Sequence, residues 1–311
     1  MKNIPVLHVV GKSLAETYEK ALVELYKNGC RFKTQYDKPD DPESIDATMN
    51  LTIEEPMTDP MIHKYFPGSI ADLREYVMEL KGAKNHWTKN LNDPKDTRWE
   101  YTYNSRLTNY GQWKEKDIYG LSLDKNLFKE GNGDKINIIA LTPINQIEVM
   151  INKLIEQPFT RRAQAITWMP TLDNDCYDPP CLQSLWARIT EDGGEKYLNT
   201  NIRFRSNDAN SAYAMNAFGL TMFIKESIMD EIAKRTGWNI KMGRINWQAD
   251  SWHIYGKDIE GFKNKFLNRL NTTTFEERVY NFYDPDIQEM YVEAETMVVN
   301  KIAEYDKAQN G

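Results

Sequence analysis

Residues 209–234, ANSAYAMNAFGLTMFIKESIMDEIAK, constrain the fold more than any other stretch. Drawn as a helix, they put Met, Phe, Ile and Ala on most sides, and a helix apolar nearly all round is stable only when buried. The chain is therefore predicted to fold around a long buried helix. The remaining pattern supplies elements to enclose it. Strands are predicted over 4–10, 48–53, 163–168, 183–189, 198–205 and 244–255. A helix over 13–27 starts at Ser13, with Glu16 at the capping-box spacing. A second covers 71–81 and stops at Gly82. A third spans 145–156, with Ile147, Met150, Ile151 and Leu154 on one face and Pro158 beyond its end. Residues 37–43 and 171–180 read as loops, 84–98 as polar and irregular, and the last 35 or so as a helical C-terminal extension. This mixture gives the α+β class: one domain, 1–311, with a mixed sheet packed by helices.

Composition removes several function classes. A formal net charge of −7 argues against a general nucleic-acid binder, which needs a basic surface. No apolar run approaches the roughly 18 residues of a membrane span. MKNIPVLHVVGKS is too short in apolar residues for a signal peptide, so a cytoplasmic location is expected. Three cysteines, Cys30, Cys176 and Cys181, do not make a disulfide framework. His8, His63 and His86 form no metal-ligand pattern with them, and no metal is expected.

Chemistry concentrates around Asp178-Pro179-Pro180-Cys181. A cysteine after two prolines sits on a preset turn that can present its sulfur to a cleft. The thiolate is the reactive form, and nearby arginines lower a thiol pKa; Arg161, Arg162 and Arg205 are the candidates. Paired arginines also offer planar forks for phosphate, and Arg205-Ser206 adds a hydroxyl. Each signal alone has a plainer reading: a lone cysteine is usually a small buried apolar residue, an Arg-Arg pair a solvated face, Asp-Pro-Pro a turn.

Their joint order resembles the thymidylate synthase superfamily, which includes the pyrimidine-nucleotide hydroxymethylases. The matching residues run from Glu75 to Tyr255: Thr160-Arg161-Arg162 followed by Trp168-Met169-Pro170; Pro180-Cys181; Arg205, Ser206 and Asp208, with Asn216 eleven residues after the arginine; and Asp250 ahead of His253 and Tyr255. Glu75, seven residues before Gly82, matches the family's acid–base glutamate, with Glu79 as the fallback. Trp99 and Tyr103 match an upstream Trp and Tyr.

The resemblance implies transfer of a one-carbon unit to C5 of a pyrimidine nucleoside monophosphate. Cys181 would add to C6, with 5,10-methylenetetrahydrofolate as co-substrate. Tyr103 and Glu75 would manage the C5 proton, and Trp99 and Asp208 would contact the folate. Arg205 and Ser206 would hold phosphate, Asn216 the base edge, and His253 and Tyr255 the sugar 3′-hydroxyl. The resemblance further implies a homodimer built on a sheet face, with Arg161 and Arg162 completing the partner's site. Asn216 favours dUMP, hence thymidylate synthesis.

Departures keep a second outcome open. Ala212 replaces a glycine that lets folate approach, Leu182 follows the nucleophile in place of His, and Phe204 replaces Gln. Near Gln35 a phosphate arginine is absent; Arg31, Lys33 or Lys38 are the substitutes. The segment 305–311 is polar where the family has an apolar tail. These changes make a 5-hydroxymethylase acting on dCMP, dUMP, CMP or UMP the alternative, with water replacing hydride. A non-catalytic nucleotide- or RNA-binding relative is the third reading.

Overall fold

Long β-branched and aromatic runs with period-two alternation build the frame. The structure is a computed structural model and describes residues 3–89, 95–111 and 143–310. Seven strands form one mixed sheet: β1 (Val6–Gly11), β2 (Cys30–Phe32), β3 (Ser44–Ile53), β5 (Gln164–Ile166), β6 (Leu182–Asp192), β7 (Glu195–Asp208) and β8 (Ile240–Ile254). Their order is β1-β3-β8-β7-β6-β5, with β2 also on β3. β1 is parallel to β3 and β7 to β8; the other pairs are antiparallel. A separate pair joins β4 (Ile62–His63) to β9 (Val279–Tyr280). This confirms the α+β class with a mixed sheet packed by helices.

One face of the sheet is apolar. Met49, Leu51, Ile53, Ile202, Phe204, Ile245, Trp247 and Ala249 are buried, while Thr48, Asn50, Thr52, Arg203, Asn246 and Gln248 between them are partly or fully exposed. Period-two alternation of this kind marks a sheet packed on one side. The apolar side receives α1 (Leu14–Asn28) and α6 (Tyr213–Ile224). Ser13 caps α1 as expected, its hydroxyl accepting from Glu16 N.

The buried helix is found, shifted at its start. α6 begins at Tyr213 rather than 209 because Asp208 holds the preceding turn, accepting from Asn210 N at 3.0 Å and Ser211 N at 2.8 Å. A wide turn over Lys225–Met229 leads into α7 (Asp230–Thr236), which ends on left-handed Gly237. Against α6 lies α2 (Ile70–Leu80). A methyl at Gly219 would sit 2.4 Å from the Tyr76 ring, so this glycine sets how closely the two helices approach.

Smaller elements were not legible. α3 (Tyr103–Thr108) and α5 (Pro170–Asp173) fall in stretches that read as loop or were left unassigned, as do α8 (Ile259–Phe262) and α9 (Asn268–Leu270). Of the irregular stretch 84–98, residues 90–94 lie outside the described residues. α4 (Gln146–Glu156) matches its expected stripe. The C-terminal helix α10 (Pro285–Asn310) turns Ile287, Tyr291, Ala294 and Val298 inward and packs along α2, where Arg74 meets Glu295 at 2.5 Å. Among the described residues no helix is long and apolar enough to cross a membrane.

Candidate active site

Cys181 stands at the mouth of β6, opposite the end of β7. Arg205 N donates to Cys181 O at 2.9 Å, which fixes the strand pairing beside the sulfur. The Arg205 guanidinium then folds back. Nε donates to Pro180 O at 3.0 Å, Nη2 to Pro179 O at 2.6 Å, and Nη2 lies 3.6 Å from Cys181 Sγ. The two prolines thus act through their carbonyls: they clamp the arginine against the thiol. The expectation that arginines lower this thiol's pKa holds for Arg205 but does not set the net direction. Burial pushes the Cys181 thiol up, and Arg205 only partly offsets it, with Asp178 adding to the rise. Arg161 and Arg162 contribute nothing here; they lie exposed ahead of β5, Arg161 O accepting from Trp186 Nε1 at 3.1 Å.

Tyrosines surround the sulfur. Tyr103 opens α3, whose N-cap Thr102 forms a reciprocal pair with Ser105. Its hydroxyl accepts from Leu182 N at 3.2 Å, one residue from the cysteine. Tyr101 packs beside it, ring centres 5.7 Å apart. Burial raises the pKa of both phenols, so they are neutral hydroxyls. Asn216, 9% exposed, donates from Nδ2 to Ala212 O at 3.0 Å and accepts at Oδ1 from the Tyr76 hydroxyl at 3.4 Å. A carbonyl can only accept, so the amide's NH2 must face Ala212 and its oxygen Tyr76. Sequence reasoning missed Tyr76 and Tyr101; neither lies in a motif.

Glu75 is bound by cations. Lys84 Nζ reaches it at 2.7 Å and Lys301 Nζ, from α10, also at 2.7 Å. Burial works to raise its pKa, but the hydrogen bonds from Lys301 and Lys84 outweigh that and hold the carboxyl below its ordinary value. Lys84 also meets Glu79 at 3.0 Å and lies 5.2 Å from the Trp87 ring centre and 5.5 Å from that of Trp99. This buried lysine was not foreseen. Trp99 is 42% exposed, its edge against Trp87. Tyr305 and Asp306 of α10 contact Trp87, the carboxylate accepting from its Nε1 at 2.9 Å.

The ends of β7 and β8 bring the remaining residues together. Ser206 pairs with Ser251 and Asp208 with His253 across the two parallel strands. His253 and Tyr255 rings are 4.6 Å apart. Burial and then Asp208 push the Tyr255 phenol up to about 12. His253 is 7% exposed, and its Nε2 has no hydrogen-bond partner among the described residues. Asp250, expected in this group, instead pairs with Arg203 at 2.9 Å; it sits where the β3–β8 register slips, between Ala249 and Trp252. Of the substitutes near Gln35, Arg31 donates to Tyr26 O, and Lys33 donates to the carbonyls of Lys38 and Pro39 in its own loop.

A cavity of about 630 Å³ opens beside Asn210 and Ser211, on the turn that Asp208 holds. Lys64, Lys257, Lys265 and Arg269 make its wall cationic, with Asp258 the one acidic residue lining it among the described residues. Among the described residues no cluster of three or more His, Cys, Asp or Glu side chains is arranged for a metal ion.

Comparison with known proteins gives the family and the fold. The family profile described as thymidylate synthase matches residues 18–304. The "Putative thymidylate synthase" of Methanocaldococcus jannaschii is 28% identical over 260 residues, covering 82% of this chain and 93% of that one. The protein of the same name from Methanosarcina acetivorans is 27% identical over 215 residues, 62% of this chain and 79% of its own. Among solved structures, the thermostable thymidylate synthase A of Bacillus subtilis superposes with a TM-score of 0.51 at 16% identity, over 81% of this chain and 83% of that one, a likeness of fold.

Proposed function

The chain belongs to the thymidylate synthase family, and from that premise we propose that it methylates dUMP at C5 with 5,10-methylenetetrahydrofolate, giving dTMP and dihydrofolate. The observation that carries this reading is the Cys181 sulfur 3.6 Å from the Arg205 guanidinium, beside the Tyr101–Tyr103 pair. A pyrimidine ring is a poor nucleophile at C5. Adding the Cys181 thiolate to C6 moves the ring's electrons to C5 and O4, so C5 becomes enolate-like. The buried thiol must first lose its proton. That proton passes to solvent water, and the Arg205 guanidinium favours the thiolate left behind.

The folate supplies the carbon and then the hydride. This chain's residues hold and screen the pair. Asn216, with one orientation fixed by Ala212 O and Tyr76, offers an acceptor for uracil N3–H and a donor for O4. The unpartnered His253 Nε2 and the Tyr255 hydroxyl suit the sugar 3′-hydroxyl. The C5 proton would leave to water held by the ionised Glu75 carboxylate, with the neutral Tyr103 hydroxyl next to Cys181 relaying it by accepting one proton as it gives up its own. Trp99 and Asp208 suit the folate ring, and the cationic wall of Lys64, Lys257, Lys265 and Arg269 suits its carboxylates. The whole of 1–311 acts as one catalytic domain, with α10 laid along the Glu75 and Trp87 edge.

A second reading, 5-hydroxymethylation, is favoured by Trp99 at 42% exposure: a shelf open to solvent lets water compete with hydride. Incubation with dUMP, dCMP, UMP or CMP and methylenetetrahydrofolate, followed by mass spectrometry, separates the two. Thymidylate synthesis adds CH2 to dUMP and forms dihydrofolate stoichiometrically. Gain of CH2O, with no dihydrofolate, would replace it with the second reading.

A further inference from the structure

Strands β3 and β8 place Asp46 directly opposite His253. Ser251, two residues before the histidine, bridges them: its Oγ lies 2.7 Å from Asp46 Oδ2 and 3.2 Å from His253 Nδ1. We propose that Asp46 and Ser251 are positioning residues that fix the proton of His253 on Nδ1, so that Nε2 is a bare acceptor selecting a ligand hydroxyl. The role assigned to the hydroxyl rests on the nucleotide reading above; the tautomer does not.

The argument is one of proton counting. An ionised carboxylate only accepts, and a serine hydroxyl owns one proton. That proton goes to Asp46, and the serine oxygen is left to accept from Nδ1–H. A neutral imidazole carries a single N–H, so Nε2 has only a lone pair. Burial raises the Asp46 carboxyl above its ordinary value and the Ser251 hydrogen bond only partly offsets this, so the relay belongs to pH values at which that carboxyl is ionised. The Nε2 lone pair, buried and without a partner among the described residues, is the kind of acceptor that a ligand donor satisfies. Phosphate oxygens and the uracil carbonyls only accept. Uracil N3–H is met by Asn216. The donor left on a nucleotide is a sugar hydroxyl.

Replacing Asp46 by Asn reverses the relay. The amide can donate to Ser251, Ser251 then donates to Nδ1, and the histidine proton moves to Nε2. The test has two arms on the full chain. In ¹⁵N NMR, His253 of the unaltered protein carries its proton on Nδ1, and Asp46→Asn shifts it to Nε2. An Nε2–H form in the unaltered protein, or no change in Asp46→Asn, overturns the relay. In calorimetry, dUMP binds about tenfold more tightly than its 3′-deoxy analogue, the share of one hydrogen bond. That ratio falls in Asp46→Asn and in Ser251→Ala, where an Nε2–H can meet only the hydroxyl oxygen and no longer accepts its proton, with melting curves confirming that both variants fold. A ratio unchanged in both folded variants overturns the selecting role. If the unaltered protein binds neither nucleotide, the nucleotide reading and the selecting role fall, while the NMR arm still decides the relay.

Discussion

At the residue scale, Cys181 is held between opposing influences. Burial favours the thiol, Arg205 the thiolate, and burial prevails in the free protein. Thiolate is the nucleophile, so its fraction should climb with pH and not level off below the ordinary cysteine pKa. Alkylation of Cys181 by iodoacetamide, followed by peptide mapping, should accelerate about tenfold from pH 7 to pH 8. A plateau in that interval would mean a thiolate already formed. Arg205→Ala removes the favourable charge and should slow alkylation at pH 8. Cys181→Ser should abolish product formation while leaving nucleotide binding intact, because it removes the C6 adduct and none of the phosphate contacts.

Among the elements, the tie between α3 and α5 decides whether Tyr103 meets Cys181. Arg106 of α3 forms a two-pronged pair with Asp173 of α5, at 2.7 and 3.1 Å. Asp173 also accepts from Met169 N at 2.6 Å, and Asp173 is 1% exposed. Breaking one side of a buried pair leaves an uncompensated charge. Asp173→Asn is expected to lower the unfolding free energy by about 3 to 5 kcal/mol, measured by chemical denaturation. The loop bearing Pro179 and Pro180 leaves from α5, so turnover should fall as well. The α2–α6 contact is equally local in effect. Gly219→Ala drives a methyl into the Tyr76 ring, and nucleotide affinity should weaken through the Tyr76 contact with Asn216.

At the scale of the whole molecule, Arg161 and Arg162 stand exposed, while Arg205, the arginine proposed to hold phosphate, lies with Cys181. Two protomers sharing their sites would give those arginines a role. Inactive Cys181→Ala and Arg162→Ala proteins, mixed after reversible unfolding, should then regain activity, since about half the random dimers are mixed and each holds one intact site of two. Activity that stays at the level of the separate variants would place both arginines outside the site. What the sequence determined alone was local or periodic: a buried helix, read over 209–234, the alternating strands, the Ser13 cap, and a cysteine set between arginine motifs. Those signals depend on neighbours within a few positions. Only the tertiary structure decided the rest. Asp46 lies more than two hundred residues from the histidine it faces, Lys301 meets Glu75 from the far end of the chain, and Tyr76 reaches Asn216 through a glycine on another helix. Asp250 illustrates the reason: it is near His253 in sequence, yet it sits where the β3–β8 register slips and pairs with Arg203, and the acid that faces the histidine comes from the adjacent strand instead.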